Sequence, residues 1–350
     1  MPVPQITAVR LGGSPALPLL VLGPSLGTSA RTLWSAAAAH LSDAFEVVAW
    51  DLPGHGSNPI VARPFTMSEL AAGVLAMIDD MVAERGDVDT SFVYAGNSVG
   101  GAVGLHLLLD SPARVDAAVL LCTGAKIGDA AAWHDRAATV RASGTSAVVE
   151  GSAARWFAPG FLEREPARGS ALLQALRDTD REGYAQACEA LAGHDVRSRL
   201  GRVGTPVLAV AGSDDVPTPT ETLQEIAAGV RDGRLVVLDG IAHLAPAEAP
   251  AEVARLVRAH VRGEADAATL APPSALDPRS TSLVTVTALV AGGHHDELAT
   301  HLRTARAHGL STEELDHLLQ IVVLSGVPAT SDSIRVARDV LAEIDREESA

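Results

Sequence analysis

The chain has 350 residues, which is long enough for two folded units. Hydrophobic residues make up 47% of it and charged residues 20%, a balance that excludes an intrinsically disordered protein. The net charge of −16 excludes the basic surface that binds nucleic acid or an anionic membrane. Two cysteines, Cys122 and Cys188, are too few for a disulfide framework or a four-thiolate zinc site, which favours the cytoplasm. No apolar run reaches the roughly 18 residues of a membrane span, so we expect no membrane anchor.

Short apolar runs alternate with longer helical patterns through residue 262. That alternation is typical of a mainly parallel sheet flanked by helices. The runs predict strands at Leu19–Leu22, Phe45–Trp50, Phe92–Ala95, Ala117–Leu121, Val207–Ala211 and Leu235–Leu238. Between residues 124 and 201 the alternation stops and several short helices are expected, so an insertion interrupts the sheet.

The composition changes after Arg262 to Ala, Pro, Asp and Glu without an apolar period, as in an interdomain linker. We therefore predict a first domain over residues 1–262, a linker over 263–278 and a small all-α domain over 279–346. The helical patterns of the second domain lie at Ser280–Ala291, Asp296–His308, Thr312–Leu324 and Ser331–Ile344.

A Gly-Asn-Ser-Val-Gly segment at residues 96–100 follows a predicted strand and precedes a helical pattern. Strand, sharp turn and helix form the context in which G-x-S-x-G is a nucleophile elbow. The flanking glycines allow close approach of the backbone, and the serine is held at the carboxyl edge of the sheet. Ser98 is therefore the candidate nucleophile.

A serine hydroxyl becomes a good nucleophile only when a base removes its proton and an acid orients that base. The turn after the fifth predicted strand carries Asp214 and Asp215, and the loop after the sixth carries His243. Ser98, Asp215 and His243 thus follow the chain order of such triads. Asp215 is the preferred acid and Asp214 is the alternative.

Ester hydrolysis also needs backbone N–H groups for the developing oxyanion. The elbow motif assigns one to Val99, and the second belongs to the turn after the first predicted strand, where we choose Leu26 because Pro24 has no N–H. His55, in the tight turn at residues 51–57, is expected to be structural.

These motifs and the insertion resemble the bacterial 3-oxoadipate enol-lactonases over residues 3–262. The resemblance is carried by Ser25-Leu26-Gly27-Thr28, the turn at 51–57, the elbow, Lys126-Ile127-Gly128, Trp133-His134-Asp135-Arg136 and Arg155-Trp156-Phe157-Ala158-Pro159. It implies an α/β-hydrolase fold with a helical cap at about 124–201, an anionic lactone substrate and no cofactor. It further implies that Arg136 and Arg155 bind the substrate carboxylate, with Trp133 and Trp156 as pocket wall. Alternatively, these arginines are surface charges and the tryptophans only cap core.

The helical region after the linker resembles the carboxyl-terminal part of 4-carboxymuconolactone decarboxylase. The matching segments are Leu283–Ala291, Asp296–His301, Gly309–Leu315 and Gly326–Ala329. Glu297 and His301, four residues apart on one helix face, are candidates for acid–base chemistry, and the segment lacks the H-E-x-x-H metal motif. The family's longer N-terminal helical portion is missing, and Leu324 replaces its tyrosine, so this domain resembles a truncated one. Self-association of the chain through these helices is the alternative role.

Together these features predict a serine hydrolase that opens 3-oxoadipate enol-lactone in the protocatechuate branch of the β-ketoadipate pathway. A second activity, decarboxylation of 4-carboxymuconolactone, would belong to the C-terminal helices. The alternative is another α/β-hydrolase, such as a carboxylesterase or a C–C hydrolase, whose C-terminal helices serve only oligomerisation.

Overall fold

The computed structural model describes residues 3–83, 90–264, 278–292, 295–324 and 331–348. The chain divides into two compact units, residues 1–270 and 271–350. Most of the predicted linker, residues 265–277, lies outside the described residues. Within the described part of the chain, no helix is long and apolar enough to cross a membrane.

The strands of the first unit form one sheet. They are β1 (Thr7–Gly12), β2 (Leu19–Gly23), β3 (Glu46–Asp51), β4 (Phe92–Asn97), β5 (Val115–Leu121), β6 (Val207–Gly212) and β7 (Gly233–Leu238). Their order is β1-β3-β2-β4-β5-β6-β7, and all neighbours are parallel except β1 and β3. Every residue of β2, β3, β4 and β6 is buried, which means that both faces of the sheet are covered.

All six predicted strands are confirmed, as β2 to β7. The sequence pattern does not predict β1, the antiparallel edge strand. The physical reason is its exposure: Val9 is the only fully buried residue of Thr7–Gly12, so no apolar run marks the strand.

The helices of the first unit either pack around the sheet or form a separate layer above it. The surrounding helices are α1 (Ala30–Ala39), α2 (Met67–Ala83), α3 (Val99–Asp110), α9 (Thr220–Gly229), α10 (Ala245–Glu248) and α11 (Pro250–Val261). The predicted insertion, between β5 and β6, contains α4 (Ala130–Ser143), α5 (Val149–Trp156), α6 (Phe161–Arg164), α7 (Pro166–Asp178) and α8 (Arg181–Ala192). We call this insertion the cap. Arg141 of α4 binds Glu182 at 2.7 Å and Glu189 at 2.5 Å, and so ties α4 to α8.

The second unit is helical and has its own apolar core. Its helices, α12 (Pro278–Gly292), α13 (His295–Ala307), α14 (Thr312–Leu324) and α15 (Ser331–Glu348), confirm the four predicted ones. The core contains Val286, Leu298, Leu302, Leu315, Leu319 and Leu341. Because these residues recur at helical spacing, each helix turns one apolar face inward.

Candidate active site

Ser98 sits in a sharp turn between β4 and α3. Its backbone has φ 55° and ψ −117°, a conformation that residues other than glycine rarely adopt. The turn is fixed by two hydrogen bonds, from Ser98 N to Leu121 O at 2.9 Å and from the Thr123 hydroxyl to Ser98 O at 2.7 Å. A Cβ atom at Gly96 would lie 2.4 Å from Gly100 O, so no larger residue fits there. The glycine spacing of the motif is therefore a packing requirement of this turn.

The structure brings Ser98, His243 and Asp215 together. His243 Nε2 lies 2.9 Å from Ser98 Oγ, and His243 Nδ1 lies 3.0 Å from each carboxylate oxygen of Asp215. All three residues are buried. With the proton on Nδ1 donated to Asp215, Nε2 is free to accept the proton of the serine hydroxyl. The arrangement can thus activate Ser98 as a nucleophile.

Asp215 is held in place by Thr218, a residue that the sequence reasoning missed. The Thr218 amide donates to Oδ1 at 3.0 Å and its hydroxyl to Oδ2 at 2.7 Å. Burial raises the pKa of Asp215, but His243 and Thr218 lower it more, and the pKa stays below its ordinary value. Asp214, the alternative acid, is exposed and accepts a hydrogen bond from the Ser213 hydroxyl. In this geometry Asp215, and not Asp214, faces the histidine.

The two residues expected to donate to the oxyanion are Val99, which follows Ser98 in the chain, and Leu26, which lines the same cavity. Val99 is the first residue of α3, where backbone N–H groups have no partner inside the helix and the helix dipole favours negative charge. Leu26 lies in the turn after β2 and lines the same cavity as Ser98. That turn is joined to the elbow because Gly100 N donates to Pro24 O at 2.8 Å.

A cavity of about 270 Å³ lies over Ser98 and His243. Most of its other lining comes from the cap, with Ser25, Leu26 and Pro217 added from turns at the sheet edge. All four cap residues predicted to bind substrate line it: Trp133, Arg136, Arg155 and Trp156. The indole of Trp133 donates to Ile127 O at 2.6 Å, which fixes one wall. Trp156 is buried. The cavity therefore has a mixed lining, with two indole side chains and two arginines among its cap residues.

Arg136 is oriented by two cap residues that no sequence motif marks. Its Nε donates to the Tyr184 hydroxyl at 2.8 Å, and one terminal nitrogen donates to the Ser152 hydroxyl at 2.9 Å. Its guanidinium lies 5.6 Å from the centre of the Tyr184 ring. Tyr184 also lines the cavity, and burial raises its pKa to about 12, so the hydroxyl keeps its proton.

The site carries positive charge without a matching carboxylate. Neither Arg136 nor Arg155 forms an ion pair within the described parts of the chain. Burial and the nearby charge of Arg136 lower the pKa of Arg155. Asp129 also lines the cavity, but its carboxylate accepts N–H groups of Ala131 and Ala132 at the start of α4. An anionic ligand would relieve the repulsion between the two arginines.

His55, expected to be structural, lies behind Tyr184 and does not line the cavity. It is buried, its Nδ1 lies 3.0 Å from Pro53 O, and its ring stacks on Tyr184 at 6.1 Å. The turn at 51–57 therefore supports the cap residue that holds Arg136.

The C-terminal candidates share helix α13. The side chain of Glu297 lies outside the described residues, and His301 is partly exposed. Among the described residues, no three His, Cys, Asp or Glu side chains are grouped closely enough to hold a metal ion. The structure thus places both residues on one helix and leaves their proposed pairing a prediction.

Two family models match the chain. Residues 20–256 match the alpha/beta hydrolase family, and residues 257–339 match the carboxymuconolactone decarboxylase family.

Among known proteins, 3-oxoadipate enol-lactonase 2 of Acinetobacter baylyi is 34% identical over 67% of this chain and 84% of its own length. Enol-lactonase 1 of the same organism is 29% identical over 73% of this chain and 92% of its own length. A crystal structure of the enol-lactonase from Burkholderia xenovorans has a TM-score of 0.68 and 28% identity, covering 73% of this chain and 96% of that one.

Proposed function

The chain belongs to the alpha/beta hydrolase family and is a hydrolase of esters or lactones, and we propose that it opens 3-oxoadipate enol-lactone to 3-oxoadipate. The observation that carries the proposal is the cavity over Ser98, where Arg136 and Arg155 have no carboxylate partner among the described residues. An ester hydrolase for neutral substrates has no need of two such charges. The names of the two enol-lactonase relatives from Acinetobacter baylyi support the same substrate.

In the first step, Ser98 Oγ attacks the lactone carbonyl while His243 Nε2 takes the hydroxyl proton. The N–H groups of Val99 and Leu26 stabilise the negative charge that develops on the carbonyl oxygen. The Asp215 carboxylate, held by Thr218, stabilises the imidazolium that forms.

Collapse of the tetrahedral intermediate breaks the ring C–O bond. His243 donates its Nε2 proton to the departing enol oxygen, which gives an acyl-serine with a free enol on the carbon that bears the carboxymethyl group. The enol then becomes the ketone, and this change draws the ring opening forward. The second half repeats the chemistry with water: His243 takes a proton from water, the hydroxide attacks the acyl carbon, and Ser98 Oγ leaves with the proton.

The substrate carboxylate would bind between Arg136 and Arg155. Tyr184 and Ser152 fix two of the donors of Arg136, so its remaining N–H groups are oriented before substrate arrives. Because the Tyr184 hydroxyl already accepts one hydrogen bond and keeps its own proton, it can donate that proton to the same carboxylate.

For the C-terminal unit, the match to the carboxymuconolactone decarboxylase family makes 4-carboxymuconolactone the substrate to test. Decarboxylation through Glu297 and His301 is one prediction, and self-association through the helices is the other. In the first case the product of this unit would be the lactone that Ser98 opens, in the cytoplasm and within the β-ketoadipate pathway. The experiment measures consumption of 4-carboxymuconolactone by the whole protein. Consumption by wild type that both Glu297→Gln and His301→Ala abolish would support decarboxylation, and no consumption by wild type would favour self-association.

The test of the hydrolase proposal compares two lactones. α-Angelica lactone has the same unsaturated ring as 3-oxoadipate enol-lactone, with a methyl group in place of the carboxymethyl group. We expect kcat/KM to be at least about 100-fold higher for the carboxylate-bearing lactone, as one well-placed charged contact provides. Equal kcat/KM for the two lactones would show that the cavity does not select the carboxylate, and the enol-lactonase assignment would be wrong.

A further inference from the structure

Glu248, the last residue of α10, joins two distant segments of the chain. Its Oε2 accepts a hydrogen bond from the Ala158 amide at 3.0 Å, and its Oε1 accepts one from the Ala242 amide at 3.2 Å. Ala158 belongs to the cap and Ala242 to the loop after β7. One carboxylate therefore forms a bridge between the cap and the loop after β7, which carries His243 and which we call the histidine loop.

At one end of this bridge, Glu248 binds the backbone next to His243, the proposed base. Ala242 immediately precedes His243, and the carbonyl of His243 accepts a hydrogen bond from the Asn97 side chain at 3.0 Å. The backbone around the histidine is thus held from two directions, by the elbow strand and by Glu248. Ala242 lies outside any helix or strand, so no other regular structure fixes its amide.

At the other end, Glu248 binds the backbone next to the helix that lines the cavity. Ala158 follows α5, the helix that carries Arg155 and Trp156 into the cavity. Ala158 is buried and, like Ala242, lies outside any helix or strand. Glu248 is therefore the side chain that hydrogen-bonds both to this cap wall and to the residue before His243, and Arg168 of the cap adds a separate hydrogen bond to Ala247 O at 2.8 Å.

The bridge needs two acceptor oxygens. Burial raises the pKa of the Glu248 carboxyl, while the amides of Ala158, Ala242 and Leu244 and the charge of Arg164 act in the opposite direction. A glutamine at this position has one acceptor oxygen and one NH₂ donor, so it can satisfy only one of the two amides and opposes the other. The change from Glu to Gln is therefore nearly isosteric, yet it removes one end of the bridge.

We infer that Glu248 is a positioning residue that sets the distance between the carboxylate-binding cap wall and His243. A substrate anchored at the cap must present its carbonyl to Ser98 and its ring oxygen to His243 at the same time. A small neutral substrate has no such constraint, because it is placed by the elbow alone. The inference rests on the proposed roles of His243 and of the cap arginines.

The experiment measures kcat and KM of wild type, Glu248→Gln and Glu252→Gln on the enol-lactone and on α-angelica lactone. Glu252, one turn further along in α11, is the matched control, since its carboxylate pairs with Arg255 on the surface. Titration of Ser98 with a phosphonofluoridate normalises every rate to correctly folded sites. Two para-nitrophenyl esters form a second pair that does not depend on the lactone. The glutarate monoester has a free carboxylate that can be anchored at the cap arginines, and the acetate ester has none.

For Glu248→Gln we expect kcat on the anchored substrates to fall about 10- to 100-fold, with KM little changed, because a small misplacement of reacting groups costs that much. On the unanchored substrates we expect a loss of less than about 3-fold, and Glu252→Gln should match wild type on all four. Equal losses on anchored and unanchored substrates, or no loss at all, would overturn the inference. Failure of wild type to prefer the enol-lactone would instead contradict the proposed function. In that case the ester pair decides the role of Glu248 if wild type prefers the glutarate ester to the acetate ester, and equal rates on the two esters would overturn the inference as well.

Discussion

The carboxyl edge of the sheet and the cap contribute to the same cavity but are built differently. At the sheet edge, Ser98, Asp215 and His243 follow three different strands, and hydrogen bonds to neighbouring backbone or side-chain groups hold each in place. In the cap, Arg136 and Tyr184 project from helices and bond to each other, while Arg136 also bonds to Ser152 and Tyr184 stacks on His55.

This difference separates the reaction from its selectivity. Attack on a carbonyl requires only a nucleophile, a base and oxyanion donors, the roles that we propose for residues of the sheet edge with any ester that reaches Ser98. Which ester reaches it in a productive orientation depends on the cap. Changes at the sheet edge should therefore affect all substrates equally, and changes in the cap should affect anionic substrates selectively.

Ser98→Ala should give the largest effect. Without the nucleophile we expect kcat to fall by about four orders of magnitude or more on neutral and anionic substrates alike. Ser91→Ala is the control, since Ser91 lies at the other end of the same strand and contacts Asp116. Steady-state hydrolysis of both lactones measures the effect, and near wild-type turnover by Ser98→Ala would disprove a serine mechanism.

Acid should destabilise the contact between the cap and the sheet. His55, stacked on Tyr184, and His194, which lies 3.0 Å from Gly124 O, are buried there. Burial lowers both pKa values from 6.5 to about 4. Between these values the unfolded chain binds more protons than the folded chain, so the free energy of unfolding decreases as the pH falls. We expect a loss on the order of 2 kcal/mol for each histidine between pH 7 and pH 5.

Urea unfolding at neutral pH and near pH 5 measures this loss. Tryptophan fluorescence reports on the first unit alone, because all four tryptophans lie within it. His194→Asn should reduce the pH dependence, whereas the same change at exposed His134 should leave it intact. An unfolding free energy that does not change between the two pH values would rule out the buried neutral histidines as the cause.

Arg136→Gln tests whether a change in the cap affects only the anionic substrate. Loss of the charge should raise KM for the enol-lactone about 10- to 100-fold, because a charged hydrogen bond to the carboxylate is lost. The kinetics on α-angelica lactone should stay within about 2-fold of wild type. Arg181→Gln, an exposed change on cap helix α8, is the control. A similar rise in KM for both lactones would mean that Arg136 supports the cap and does not bind the carboxylate.

The two tyrosines of the chain offer the smallest and most direct comparison. The Tyr94 hydroxyl donates to Gly100 O at 2.7 Å below the elbow, and the Tyr184 hydroxyl contacts Arg136 in the cap. Tyr184→Phe should raise KM for the enol-lactone about 3- to 10-fold, the worth of one hydrogen bond to a charged group. Tyr94→Phe should change kcat by a similar factor on both lactones. If Tyr184→Phe affects the neutral lactone equally, the proposed division between sheet edge and cap fails.

The strands and the arrangement of the triad are accessible from the sequence because each is encoded locally. An apolar run predicts a buried strand, and Ser98, Asp215 and His243 come directly after such runs. Parallel strands end at the same edge of the sheet, so the sequence order alone brings the three side chains near one another.

Contacts within the cap and around the histidine loop are not encoded in this way. Tyr184 meets Arg136 from 48 positions away, and Glu248 meets Ala158 from 90 positions away. Neither pair has a periodicity or a motif, and each depends on how helices of the cap pack. The edge strand β1 was missed for a related reason, since its pairing with β3 and not an apolar run makes it a strand.

The positive φ of Ser98 has a consequence for the evolution of the chain. Glycine would adopt φ 55° without steric cost, so glycine at position 98 should raise the free energy of unfolding by on the order of 1 kcal/mol. The same chain would be inactive, because it lacks the serine hydroxyl. Selection for folding alone would favour that replacement. A serine in this conformation is therefore expected where selection for turnover outweighs selection for stability.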